Sequence, residues 1–241
     1  MNINHISPIT FGKLSMHRRN GLKFPNDFLC ISSNNTPYNI TIREEYGAYQ
    51  VYFLPGTDDE PHAEQEINIY QGQDYMSVDN MYTNTESRKE GLGSCMHLIN
   101  IIEMLENNIK RIELLAVASA IPFHSKLGFK PYNNWEYLSL RQNILQIAND
   151  NSPEMETESK LASQLLKAYY TPDLKAKLGN KLLYNYIQKA LKIKTKEEQK
   201  SMFKHPLFMV LSRKDVLKNK EFYNKLFNKY GIDYQITDSS D

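Results

Sequence analysis

The stretch Arg88-Lys89-Glu90-Gly91-Leu92-Gly93-Ser94 sets two cations and two closely spaced glycines ahead of an apolar run. That order suits a strand-to-helix junction. The first amides of a helix have no partner within it, and the aligned peptide dipoles favour negative charge there, so such a start binds anions. Gly91 and Gly93 keep side chains out of the turn and let a diphosphate approach the backbone, while Arg88 or Lys89 adds charge. Two other side chains carry proton chemistry. His124 is an imidazole whose ordinary pKa of about 6.5 makes its charged form a stronger acid than a phenol near 10. Asp79 is the carboxylate chosen as proton acceptor; Glu45, Glu64 and Glu66 offer the same chemistry, and the sequence does not rank them. Each has a plainer reading too, since a lone histidine on a short helix commonly packs and a carboxylate on a strand edge is commonly a solvated charge. Cys95, one turn into the helix, reads as a packing residue. His17, His62, His97 and His205 are scattered without ligand spacing, and no metal is expected.

The elements that must position these residues follow from hydrophobic period. Short runs of β-branched and aromatic residues predict strands at Phe28 to Ser32, Asn39 to Glu44, Ala48 to Leu54, Glu66 to Tyr70 and Tyr75 to Thr83, separated by turn residues such as Pro37, Gly47, Pro55 to Pro61 and Gly72. A meandering antiparallel sheet is the simplest arrangement. From Arg88 the period changes. Leu92, Met96, Ile99, Ile102 and Leu105 share a helical face that ends near Asn107 and Asn108. Arg111 to Val117 is an apolar strand, a short helix follows from about Ile121 to Leu127 with Gly128 as its stop, and Phe129 to Tyr132 with Trp135 to Leu140 read as a last strand pair. The fold class is therefore α/β (α+β), a mixed and mostly antiparallel sheet with packed helices.

Beyond Arg141 the texture is helical throughout, an all-helical C-terminal extension. Ser152-Pro153 and Thr171-Pro172 each place a capping residue before a proline at the first helical position, Thr195 with Glu198 and Ser212 with Asp215 have capping-box spacing, and Tyr230-Gly231 is a stop. Leu174, Leu178, Leu182, Tyr186 and Leu191 form one apolar stripe, and Val216, Tyr223, Leu226, Phe227 and Tyr230 another; both read as core. Two parts result, residues 1–140 and residues 141–241.

On these residues the chain resembles the GNAT superfamily of N-acetyltransferases. Arg88, Gly91 and Gly93 match that family's Arg or Gln, two residues, Gly, one residue, Gly or Ala after the fourth strand. Its second block is Ala, two residues, Phe-Tyr, two residues, Leu-Gly-Phe, and this chain has Ala120, Phe123-His124 and Leu127-Gly128-Phe129 at the expected distance. The resemblance covers roughly residues 25 to 140. It implies acetyl-CoA as cosubstrate and direct transfer of its acetyl group to an amine: a protein lysine or N-terminus, a small amine, or an aminoacyl group on RNA. It further implies that Met81, Tyr82 and Thr83 open from the neighbouring strand to meet the pantetheine arm, that amides of Lys89, Glu90, Gly91, Leu92, Gly93 and Ser94 cradle the diphosphate, and that Ser119, Phe123 and Lys126 flank the cofactor's far side. The Met81 amide would stabilise the oxyanion. His124 departs from the family pattern, because the tyrosine commonly found there protonates the departing thiolate. The helical pair that usually follows the first strand is also missing. The C-terminal helices are expected to supply that wall of the acceptor site, so that deleting residues 150–241 spares acetyl-CoA binding and removes transfer.

Composition bounds the alternatives. With 41% hydrophobic and 24% charged residues the chain is neither disordered nor membrane-spanning in character, and no run of 18 apolar residues occurs. Cys30 and Cys95 are too few for a disulfide framework and read as thiols in a reducing compartment. No Sec-type signal is legible in MNINHISPITFGKL. The expected location is the cytoplasm, with leaderless export into a host cell as the alternative. Residues 1–140 hold 11 Lys+Arg against 16 Asp+Glu and the rest 18 against 12, charges of −5 and +6 that give the chain's +1. The basic half suits an acidic partner or a solubilising surface. Two rival functions follow, a CoA-binding module without catalysis and a binder of an acidic protein or nucleic acid, although no aromatic-basic motif of an RNA module is visible.

Overall fold

A computed structural model describes residues 16–17, 23–24, 28–32, 35–45, 48–55, 60–70, 74–84, 90–133 and 138–237. The chain divides into two compact units, one formed by Met1–Asn68, Asn80–Ile109 and Asn219–Asp241, the other by Ile69–Asp79 and Lys110–Lys218. Each is built from separate stretches of sequence.

In the first unit, β1 (Met16–His17) and β2 (Lys23–Phe24) pair antiparallel as a small separate sheet. The larger sheet contributes β3 (Phe28–Ile31), β4 (Pro37–Glu45), β5 (Ala48–Pro55) and β6 (Ala63–Tyr70), antiparallel in chain order. Strand alternation decides its core face: Tyr38, Ile40, Val51, Phe53, Ala63 and Ile67 are each fully buried. Against this unit's core lies α1 (Leu92–Glu106), a helix apolar nearly all round, as a helix covered on several sides must be. Gln65 breaks the apolar face to lock the helix in register. It exchanges two hydrogen bonds with Asn100, at 2.9 and 3.0 Å, in a fully enclosed setting. The expected stop is present, with Asn107 as C-cap and Asn108 at φ 53°. From the far end of the chain, α8 (Lys220–Lys229) packs against α1 through the buried Tyr223, Phe227 and Tyr230, and Gly231 at φ 61° ends it as the sequence requires.

The second unit holds the start of β7 (Tyr75–Thr83), then β8 (Arg111–Ala116), α2 (Ile121–Lys126), β9 (Lys130–Pro131), α3 (Leu138–Ala148), α4 (Glu156–Lys167), α5 (Pro172–Ile193), α6 (Lys196–Ser201), β10 (Leu207–Ser212) and α7 (Arg213–Lys218). Its strand order is β7-β8-β10-β9, with β7 and β8 parallel and β10 antiparallel to both its neighbours. The sheet is mixed and mostly antiparallel, with packed helices and a helical C-terminal part. No helix among the described residues is long and apolar enough to cross a membrane.

Three sequence expectations need correction. Leu138 to Leu140 form the first turn of α3 rather than a strand, because Leu140, Ile144 and Ile147 recur at helical spacing and are all buried. The partner of β9 is instead β10, where Leu207, Met209 and Leu211 alternate fully buried with half-buried neighbours, a period of two inside a helical stretch. On α5 the expected Leu182 and Tyr186 are buried, together with Ala176, Gly179, Leu183, Ile187 and Ala190, whereas Leu178 and Leu191 are half-buried and Leu174 is exposed. Small residues there let the helix approach β9 and α2 closely, which a stripe of large leucines would prevent. Residues 150–241 include β10, which pairs with β8 and β9, and α8, which packs against α1.

The caps divide. Thr195 and Glu198 form the full capping box on α6, and Thr171 accepts from the Leu174 amide. Ser152 instead gives its hydroxyl to Asp150, leaving Pro153–Met155 as a 3₁₀ turn.

Candidate functional site

The start of α1 is made by backbone. Gly91 is the N-cap at φ 89°, ψ 8°, and no side chain caps the helix. The Ser94 and Cys95 amides turn back to the Gly91 carbonyl, at 2.9 and 3.1 Å, so Leu92 and Gly93 are the amides that helix geometry leaves without an internal partner. No acidic side chain occupies the first turn. These are the conditions for holding an anion. Gly91 has a second reason to be glycine: a methyl there would lie 2.6 Å from both Cε1 and the hydroxyl oxygen of Tyr230. Arg88 and Lys89, expected to add charge here, lie outside the described residues.

Glu90 points its charge elsewhere. Its Oε2 accepts from the Tyr38 hydroxyl at 2.6 Å, a charge-assisted length, and the same hydroxyl oxygen lies 2.9 Å from Nδ1 of His62. The phenol has one proton and gives it to Glu90, so Nδ1 of His62 must itself donate. Tyr38 is fully buried, and the chain of bonds ties the residue before Gly91 to β4 and to the entry of β6. The same His62 carbonyl accepts from Asn84 at the exit of β7. This network was not legible in sequence, where Tyr38 and Glu90 stand 52 residues apart.

Met81 and Thr83 are half-buried and Tyr82 is exposed at the end of β7. The register of β7 with β8 runs from Tyr75↔Arg111 to Val78↔Leu114, while β7 continues to Thr83 and β8 to Ala116. Within this first unit the structure gathers Glu90 to Ser94 at one helix start.

In the second unit, Asp79 is exposed on β7, and Ser119 is exposed in the 3₁₀ turn Ala118–Ala120 that leads into α2. On α2, Phe123 is half-buried, and Lys126 is exposed with its ammonium donating to Gln199 at 2.8 Å. His124 differs from all of them. It is 6% exposed, with Phe123 and Phe129 ring centroids at 5.1 and 5.8 Å in edge-on contacts. Burial pushes its imidazole down to about 4, because the charged form loses its hydration. The expectation of an unperturbed imidazolium is therefore corrected: at neutral pH the resting ring is uncharged.

No protein-family model and no curated protein matches the chain. Solved structures do. The GCN5 protein of Tetrahymena is 16% identical at TM-score 0.34, over 39% of this chain and 61% of its own. A GNAT-family acetyltransferase of Staphylococcus aureus is 18% identical at TM-score 0.34, over 39% and 60%. Nourseothricin acetyltransferase is 13% identical at TM-score 0.35, over 47% and 74%. The chain thus spans about three fifths of the length of the first two of these acetyltransferases.

Proposed function

We propose that this chain transfers an acetyl group from acetyl-CoA to an amine. The observation that carries the reading is the start of α1, a left-handed glycine N-cap with no side-chain cap and no acidic residue in its first turn. The Leu92 and Gly93 amides hold the diphosphate, with Glu90 and Ser94 framing the turn and Arg88 and Lys89 adding charge. The backbone of Met81, Tyr82 and Thr83 meets the pantetheine arm, and Ser119, Phe123 and Lys126 attend the cofactor's far side.

In the chemical step Asp79 takes the proton that an ammonium must lose before its nitrogen can attack the thioester carbonyl carbon. The Met81 amide donates to the oxygen that gains charge. As the carbon–sulfur bond breaks and its electron pair stays on sulfur, His124 returns a proton to the thiolate. His124 is uncharged at rest, so the proton it passes to sulfur is drawn from solvent water during turnover.

Thiol release from acetyl-CoA by the purified chain, measured across a panel of amines, tests the reading. Asp79→Asn is expected to lower kcat/KM by roughly a hundredfold, a typical size for a positioned base, with acetyl-CoA binding unchanged. His124→Phe is expected to lower kcat with acetyl-CoA binding unchanged. The uncharged resting state of His124 favours one second reading, a module that binds the coenzyme without catalysis; acetyl-CoA bound tightly with no thiol released by any amine would establish it.

A further inference from the structure

We infer that Gln188 and Gln199 are positioning residues for His124: through their bonds to Ser125 and Lys126 they fix where α2 stands, and so where its imidazole points. The inference rests on the reading of His124 as proton donor and extends it to two residues beyond the stretch that carries the family resemblance.

Taken alone, α2 has little to hold it. It is six residues long, no side chain caps its start, and a helix so short is marginal without outside support. That support comes from α5 and α6, which pack against α2 and against the 3₁₀ turn before it. The half-buried Gln188 of α5 donates from Nε2 to Oγ of the buried Ser125 at 3.0 Å. Gln199 of α6 is buried and fixed more fully. Its Nε2 donates to the Leu191 and Lys194 carbonyls at the end of α5, at 3.3 and 2.8 Å. Carbonyls only accept, so the amide is oriented by them and its Oε1 is left to take the Lys126 ammonium at 2.8 Å. One side chain thereby joins the end of α5, α6 and α2.

Ser125 and Lys126 are the two residues after His124, and successive helical residues stand about 100° apart around the axis. Bonds at both oppose rotation of α2 about that axis, the movement that would swing the imidazole away from its edge-on contact with Phe129. A proton passes only over hydrogen-bond distance, so a small rotation is enough to slow it.

Gln188→Met and Gln199→Met, made in the full chain, keep side-chain length and remove the bonds. NMR reads the ring directly: the His124 imidazole of the parent is expected to titrate at about 4, and in each variant its midpoint should rise toward about 6.5 as water reaches a ring no longer held in place. Thiol release reads the consequence, at a temperature below the melting midpoint of every variant. In Gln188→Met, kcat is expected to fall about tenfold with KM for acetyl-CoA unchanged, and to fall no further when the change is added to His124→Phe. The inference is overturned if the titration midpoint stays at the parent's value, if kcat does not change, or if the His124→Phe background loses the same factor. An earlier melt with none of these effects would mean that the two amides only stabilise the fold. Should Gln199→Met not fold, Gln188→Met decides by itself. If the parent releases no thiol with any amine, the transfer reading fails, and the titration still decides whether the glutamines fix the ring.

Discussion

The start of α1 and the short helix α2 use opposite chemistry. At α1 the proposed groups are peptide amides, and the neighbouring choices keep side chains away from them: Gly91 at positive φ, no side-chain cap, and a Glu90 carboxylate drawn off to Tyr38. At α2 the proposed group is a side chain, His124, which is buried against Phe123 and Phe129 and loses its charge by burial. A backbone site is therefore specified by what is missing from the sequence. A side-chain site is specified by what the fold packs around it.

The sharpest way to break this contrast is to add a side chain where α1 excludes one. Gly91→Val combines a left-handed backbone that a β-branched residue resists with overlap against Tyr230, and is expected to cost about 3 to 5 kcal/mol in urea unfolding. Gly91→Ala should cost less in a Tyr230→Ala background than in the parent, because the overlap is gone and only the backbone strain is left; an equal cost in the two backgrounds would show that the ring contact does not matter.

The second effect is nearly as large and acts on the other region. The folded His124 value, about 4, lies below the ordinary 6.5, so between these values the unfolded chain binds more protons than the folded one. Stability contributed by the neutral ring is fully present above pH 6.5 and lost as pH falls toward 4, by at most about 3 kcal/mol. Denaturant midpoints measured at pH 7 and pH 4.5 should differ less in His124→Phe than in the parent. Equal differences in the two proteins would mean that the ring is not held neutral.

A third variant asks whether α1 is positioned by its polar register. Gln65→Ala leaves the fully buried Asn100 amide without its partner and is expected to cost about 2 kcal/mol, whereas Gln65→Leu combined with Asn100→Leu should cost less than the single change. The smallest effect belongs far from both sites. Thr195→Ala removes the capping box of α6 and should cost about 1 kcal/mol while leaving acetyl-CoA affinity as it was.

Much of the architecture was legible along the chain. The strands β3 to β8, the helices α1 and α2, and the stop glycines at 128 and 231 follow from local period and local backbone demand, and the structure places them close to where those signals stand. Reading failed where neighbours distant in sequence decide. The apolar run Leu207 to Ser212 looked like more helix because its surroundings are helical, yet it becomes a strand since β8 and β9 leave an antiparallel place between them. The stripe expected on α5 is right at Leu182 and Tyr186 and wrong at Leu174, since the buried face also takes in the small Ala176 and Gly179.

The candidate sites divide along the same line. That residues 91 to 94 start a helix with free leading amides follows from glycine spacing and helix polarity, which are properties of a short segment. The charge state of His124, the diversion of Glu90 to Tyr38 and His62, and the presence of Tyr230 beside Gly91 depend on contacts spanning from five to 139 residues of chain. Local sequence decides what the backbone offers. Burial and partnership, which set whether a side chain is charged, engaged or available, exist only once the chain has folded.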